Sequence, residues 1–412
     1  MKNTILKLTL LTLSIILFSA CSFLNLKDDL QKQDNLVDIS GNISLKAENT
    51  SSILVALISY NSKYPVVTNY TVLKTEGKFS FITEPGKYKV MAFSDLNSNQ
   101  KYEDNEPIAR SKILDLNKRG NTLKLEIVSS ANSDFLEELN LIKKQGETKV
   151  AKGRLSLGKI TTLDNDNFSE ENVQKGLWQP YEFIKTVDFG LFFLEEYDPN
   201  KKVVLFIHGI NGSPRNFENL IASLDKSKFQ AFILYYPSGV SISRVSKYTK
   251  DLVEELQVRL KLEKISVVTH SMGGLTSRKL LNLLSDDKST LVDAFISIST
   301  PWEGHAGANS GLKYSPLIIP VWRDMATSSD FIANLFKTPL PSSTKHYLLF
   351  SYKGSSMTTD GNSDGVVSIK SQLKLDAQEG ASLVRGFNED HNSILQSKEV
   401  IKLVNKILKQ QL

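Results

Sequence analysis

The chain has 412 residues, 41% of them hydrophobic and 23% charged, with a formal net charge of +5. That length exceeds one ordinary core and suffices for a small domain followed by a larger one. The charges are dispersed with no basic run, which argues against a nucleic-acid partner, and a single cysteine excludes any intramolecular disulfide.

The amino end, Met1 to Lys7, is positively charged, Leu8 to Phe18 is an apolar core too short to read as a membrane span, and Ser19-Ala20 sets small residues before Cys21. This arrangement resembles the signal peptide and lipobox of a bacterial lipoprotein, with Phe18 where leucine is usual. The resemblance implies that residues 1–20 are removed and that Cys21 carries lipid. Residues 21–37, mostly polar, then tether the folded part to a membrane of the bacterial cell envelope, at the outer membrane or cell surface rather than the inner membrane. A cleaved secretory signal with an incidental cysteine is the plainer alternative.

Residues 38–130 carry short segments of alternating or β-rich pattern: 39–45, 53–60, 66–73, 78–82, 87–93, 111–116 and 123–128, separated by turns such as Glu84-Pro-Gly86. Seven strands at this spacing predict an antiparallel β-sandwich of immunoglobulin or transthyretin type. The stretch Pro85 to Asp95 resembles carboxypeptidase-regulatory-like modules of exported proteins. The following loop sets oxygen side chains at Asp95, Asn97, Asn99, Glu103 and Glu106, the ligand spacing of an EF-hand loop, so Ca²⁺ is a candidate ligand. Gln100 stands where such a loop needs glycine and no helices flank it, which favours a polar turn. Residues 131–165 read as a linker or added edge structure.

From 166 the pattern changes. Val203 to Ile207 is a continuous apolar run, the mark of a strand buried on both faces, and it ends in His208-Gly209. Gly209 allows a turn that would aim the N–H of Ile210 at an attacked carbonyl, while His208 reads better as a brace for the loop than as a base. Residues 265–274, Ile-Ser-Val-Val-Thr-His-Ser-Met-Gly-Gly, run a strand into a turn with Ser271 at its apex, the sequence form of a nucleophile elbow. A serine hydroxyl needs such a strained turn so that a base can reach it and backbone N–H groups, here Met272 beside Ile210, can bind the oxyanion. Thr269 stands where the common pattern has glycine.

Further along, strand candidate 294–299 leads into Ser299-Thr-Pro-Trp-Glu-Gly304, and residues 303–345 form an insertion with four prolines that reads equally as a lid or acyl-pocket wall and as a helical excursion packing its own apolar face on the sheet. Strand 346–352 precedes a loop holding Asp364 between Gly361 and Gly365, with Asp360, Asp376 and Asp390 as competing carboxylates. Strand 381–387 opens into a loop with His391, before a helix whose apolar face carries Ile394, Leu395, Ile401, Val404 and Leu408. His391 could take the proton of Ser271 while Asp364 fixes its tautomer.

On these residues, 166–412 resembles the α/β-hydrolase superfamily and its bacterial lipase and esterase branch, in which a Thr-Pro-x-x-Gly segment and an insertion over the site also occur. The expected fold is therefore a mostly parallel sheet with flanking helices and a lid-like insertion, preceded by the small all-β sandwich. The resemblance implies hydrolysis of a carboxylic ester or lipid through an acyl-serine intermediate, without metal or organic cofactor. Phospholipase, thioesterase and acyltransferase activities share that chemistry, and an inert surface binding lipoprotein is the reading from another class. Oligomeric state is left open.

Overall fold

The computed structural model describes residues 24–45, 51–62, 64–97, 99, 102–103, 105–117, 121–127, 155–286, 289–355 and 361–412. The expected signal peptide, Cys21 and part of the stretch 131–165 lie outside them.

Eight strands form the amino-terminal part: β1 Val37–Leu45, β2 Ser52–Ser59, β3 Val66–Leu73, β4 Gly77–Thr83, β5 Gly86–Asp95, β6 Ile108–Arg110, β7 Leu114–Leu116 and β8 Asn121–Ile127. They make two sheets, β4-β1-β8 and β3-β2-β5-β6, with β7 also on β5. Alternate side chains of both sheets meet in one core, where Ile39 and Ile43 of β1 and Phe79 and Phe81 of β4 pack with Val55, Leu57, Val90 and Ala92. Two features differ from a wholly antiparallel sandwich of seven strands. β8 pairs with β1 in parallel, and the segment expected at 111–116 is broken, because Ser111 turns its hydroxyl onto the Val90 N–H at 3.0 Å and separates β6 from β7.

Residues 24–34, within the expected tether, are helical and docked. Leu26 and Leu30 pack against the core of the larger part. The carboxylate of Asp29 accepts hydrogen bonds from the N–H groups of Tyr181 and Glu182, at 3.0 and 2.8 Å, and so caps the helix Pro180–Thr186.

The larger part is an eight-stranded sheet of order β16-β15-β14-β13-β11-β12-β10-β9. Its strands are β9 Leu155–Ile160, β10 Phe189–Phe193, β11 Lys202–Ile207, β12 Phe229–Tyr235, β13 Ile265–His270, β14 Val292–Ile298, β15 Lys345–Ser351 and β16 Ala381–Phe387. β11 to β16 are parallel, whereas β10 pairs antiparallel with β12 and carries β9 beside it as the edge. The apolar run in β11 is explained by its neighbours on both faces. Val203, Leu205 and Ile207 enter one core, Val204 and Phe206 the other. Helices Ile242–Leu260 and Met272–Asp286 cover the first face, and Lys398–Lys409 covers the second with Val400, Val404, Ile407 and Leu408. Ile394 and Leu395, expected in that last helix, occupy a separate 3₁₀ turn, Ser393–Gln396.

The insertion after β14 holds three short helices, Ala306–Tyr314, Pro320–Met325 and Asp330–Asn334. It is tied down on several sides. The Ile242 N–H donates to the Asp324 carboxylate at 2.6 Å, Arg278 donates to the Thr338 carbonyl at 2.7 Å, and Asn282 donates to the Leu335 carbonyl at 2.8 Å. Ile319, Val321, Ile332 and Leu335 are buried in the same core as the sheet.

Candidate active site

Ser271 follows β13 with φ of 53°, in the left-handed region that a serine adopts only when its surroundings hold it there. Its N–H donates to the Ile298 carbonyl at 2.8 Å, which fixes the turn against β14. The helix Met272–Asp286 begins at the next residue, so the N–H of Met272 lies in a first turn that has no intrahelical acceptor. Crowding explains the small residues. A Cβ on Gly273 would lie 2.3 Å from the Ile207 carbonyl oxygen, and one on Gly209 would lie 2.8 Å from the Ser271 Cβ. Gly274 is tighter still, with a Cβ there 1.9 Å from Thr300 Oγ1, whereas the Thr269 side chain is buried within β13 and donates to the Ile296 carbonyl at 3.4 Å.

The loop after β11 therefore abuts Ser271 directly, and His208 braces it. The His208 ring is stacked on Tyr236 at 4.2 Å, its Nδ1 donates to the Gly209 carbonyl at 2.8 Å, and Tyr236 donates its hydroxyl to the His208 carbonyl at 2.6 Å. Burial pushes this imidazole down to about 4, so it is neutral. Ile210, next in the loop, packs its side chain against the core.

At the carboxyl ends of β15 and β16 the structure brings Asp364 and His391 together. Nδ1 of His391 donates to Oδ2 of Asp364 at 2.7 Å, and both groups are buried. The same oxygen accepts from Ser351 Oγ at 2.7 Å and from Gln372 Nε2 at 3.1 Å, while Oδ1 accepts from the N–H groups of Val366 and Val367 at 3.0 and 2.7 Å. Burial alone would raise this carboxyl, but the hydrogen bond and charge of His391, with Ser351 and Val367, outweigh it and hold the group below its ordinary range. Of the competing carboxylates, Asp376 is exposed beside Lys374, Asp390 is exposed and caps the turn after His391, and Asp360 lies outside the described residues.

His270 joins the two halves. Its Nε2 donates to the backbone carbonyl of His391 at 2.7 Å, and the two rings lie 4.7 Å apart. Burial pushes His270 down to about 3, which keeps it neutral beside His391. His270, Ser351 and Gln372 carried no signal that sequence reasoning could use alone, although Ser351 ends a strand already assigned and so faces the site. The other expected ligand set behaves differently. In the loop from Asp95 to Glu106, Glu106 accepts from the N–H groups of Leu96 and Glu103, Asp95 accepts from the Asn99 N–H, and Asn99 donates to Glu103. Asn97 accepts from the same Asn99 N–H. The loop's oxygens thus close its own turn, and among the described residues no group of three or more His, Cys, Asp or Glu side chains is arranged to hold a metal.

The strand order, the turn at Ser271 and the buried His–Asp pair define an α/β-hydrolase fold. In agreement, residues 237–411 match the family model described as an alpha/beta hydrolase of unknown function (DUF915). No curated protein matches the chain in sequence. Among solved structures it is similar to the mature form of the Bacillus licheniformis lipase BlEst2, with 20% identity, a TM-score of 0.43, and coverage of 53% of this chain and 97% of that one. Similarity extends to the product of the Listeria innocua gene lin2722, with 14% identity, a TM-score of 0.39 and coverage of 51% and 94%. Lipase B of Aspergillus fumigatus matches with 16% identity, a TM-score of 0.39 and coverage of 53% and 55%.

Proposed function

We propose that the protein is a serine hydrolase of carboxylic esters, of lipase or esterase type, held at the bacterial cell envelope by lipid on Cys21. The observation that carries the catalytic reading is the buried His391–Asp364 pair at 2.7 Å, at the same edge of the sheet as a serine in the left-handed conformation. Ser271 Oγ attacks the ester carbonyl carbon and its proton passes to Nε2 of His391, the ring nitrogen that Asp364 leaves available. Backbone N–H groups of Ile210 and Met272 stabilise the oxyanion. The bond to the alcohol breaks as His391 returns the proton to it, and a water molecule activated in the same way releases the acid from Ser271. These steps need no metal or organic cofactor.

A fluorophosphonate probe on the purified protein tests this reading, together with p-nitrophenyl esters of increasing chain length. Ser271 should be the labelled residue, and Ser271→Ala should abolish labelling and turnover. Undiminished hydrolysis by the folded alanine variant would refute the assignment. The chain-length series separates esterase from lipase and phospholipase behaviour.

A further inference from the structure

At the carboxyl ends of the strands lies an apolar surface that no core accounts for. Trp178, which ends the helix Glu170–Trp178, is 38% exposed, and Tyr314, which ends Ala306–Tyr314, is 73% exposed. Trp322 connects them. Its ring meets that of Trp178 edge-on at 5.9 Å, and a Cβ on Gly311, three residues before Tyr314, would lie 2.6 Å from it. Leu312, Leu317 and Ile318 are half-buried, and among the described residues neither they nor Trp178 and Tyr314 pack into any hydrophobic core. The loop after β12 holds the two sides together, since Gly239 donates to the Gly176 carbonyl at 2.9 Å and accepts from the Val321 N–H at 3.2 Å. The surface also flanks the candidate site. Gln174, one turn before Trp178, donates to the Asn211 side chain at 3.1 Å, in the loop that carries Ile210. His305, which caps Ala306–Tyr314, donates to the Val366 carbonyl at 2.8 Å, two residues from Asp364.

Charge and chain course indicate what meets this surface. Residues 312–323 include Lys313 and Arg323, both exposed, and no acidic residue, and the Lys313 ammonium stands over the Tyr314 ring at 5.0 Å. Aromatic rings with cations beside them suit the boundary of a bilayer, where the rings enter the apolar side and the cations meet head-group phosphates. Asp29 caps Pro180–Thr186, which begins two residues after Trp178. From Asp29 the docked helix runs one way to Gln33 and Leu36, which line the gap against β3 and β4 of the sandwich, and the other way to Leu24, which is 61% exposed. The chain therefore departs on the side away from the sandwich, about 7.5 Å along the helix from Asp29. We propose that this surface seats on a phospholipid bilayer, with Trp178, Tyr314, Leu317 and Ile318 entering the head-group boundary and Lys313 and Arg323 facing anionic phosphates. What the contact is for rests on the reading of an envelope-held ester hydrolase; the contact itself needs neither lipid on Cys21 nor turnover at Ser271.

Co-sedimentation with vesicles tests the proposal, using the unlipidated chain from Leu24 on, which keeps every described element. Saturable binding is expected on vesicles of phosphatidylcholine with phosphatidylglycerol, weaker on phosphatidylcholine alone and unchanged by Ser271→Ala. Tyr314→Ser and Leu317→Ser should each weaken it about tenfold while leaving the urea midpoint in place, because neither side chain belongs to a core. Lys313→Glu with Arg323→Glu should remove the preference for phosphatidylglycerol. Brominated acyl chains should quench the tryptophan fluorescence, and Trp178→Phe should remove much of that quenching. Sedimentation reads binding without turnover, so failure of ester hydrolysis and failure of the seat are separate results. Absence of vesicle binding, or undiminished binding by the folded Tyr314→Ser, Leu317→Ser double variant, would overturn the seat. So would a dimer of the free chain that the same double variant dissolves, since a second copy would then be the occupant. Equal binding to the two lipid compositions would overturn the role of the cations.

Discussion

Acid should weaken the hydrolase part well before any carboxylate of the site titrates. His208, His270 and His346 are 0%, 6% and 2% exposed, and burial pushes them to about 4, 3 and 3. In the unfolded chain each titrates at its ordinary 6.5. As pH falls below 6.5 the unfolded chain takes up protons that the folded chain refuses, so stability declines until the folded-state values are reached. From pH 7 to pH 5 each site loses about 2 kcal/mol, at 1.36 kcal/mol per pH unit, and the three together about 6 kcal/mol. That is comparable to the whole stability of a typical domain. Asp364 lies outside this window, since a carboxyl held below its ordinary 3.8 loses its contribution only at lower pH. Asp29 and Asp324, raised by burial, oppose the decline, because the folded chain protonates them first. The three tryptophans of the chain, Trp178, Trp302 and Trp322, all belong to the hydrolase part, so their fluorescence follows it alone. The urea midpoint should fall by about 2 M between pH 7 and pH 5 for a slope near 3 kcal/mol/M. Equal midpoints at the two pH values, or a loss that starts only below pH 4, would refute neutral burial of these rings.

Asp364→Asn should reduce kcat by orders of magnitude with little change in KM, because the amide cannot hold His391 in the tautomer that accepts the serine proton; near-normal turnover would move the acid elsewhere. Ser351→Ala and Gln372→Leu each remove one hydrogen bond to that carboxylate, worth about 1.5–3 kcal/mol, and should shift the acid limb of the pH–rate profile upward. Since the insertion is bonded to the Ile242–Leu260 and Met272–Asp286 helices, activity on a short ester should rise smoothly through the substrate's solubility limit; an abrupt jump there would mean that the segment opens. Asp29→Ala should lower stability by about 1 kcal/mol through loss of the cap on Pro180–Thr186, measured by urea titration, whereas Glu84→Ala, which breaks an exposed pair with Lys185, should change it by less.

What could be read in the chain follows from how each element is buried. β11 and β13 were legible because burial on both faces leaves an unbroken apolar run. β12 was not, because Gln230 interrupts its run; the amide is buried only by bonding the backbone of Asp198 and Lys201, a partnership that no hydrophobic pattern displays. The docked helix at 24–34 was hidden for the same reason, with Asp29 and Gln33 buried through hydrogen bonds beside only two apolar contacts. In the candidate site the order of Ser271, Asp364 and His391 along the chain was visible, as was the need for Gly209 and Gly273. The cradle of Asp364 was not, because Ser351 and Gln372 reach it from separate elements that only the fold brings together.

With the lipid proposed for Cys21 in place, the docked helix would also set how closely the hydrolase part sits to a membrane. Cys21 and Leu24 are three residues apart, so a lipid-bearing Cys21 stands within about 11 Å of the first helical residue. With that helix held on the hydrolase part by Leu26, Asp29 and Leu30, a body so anchored would have little room to drift from the bilayer or turn above it. A hydrolase on so short a leash would meet the proposed ester substrates by lateral diffusion in two dimensions, presenting one side, and their local density would govern its rate more than their affinity in solution.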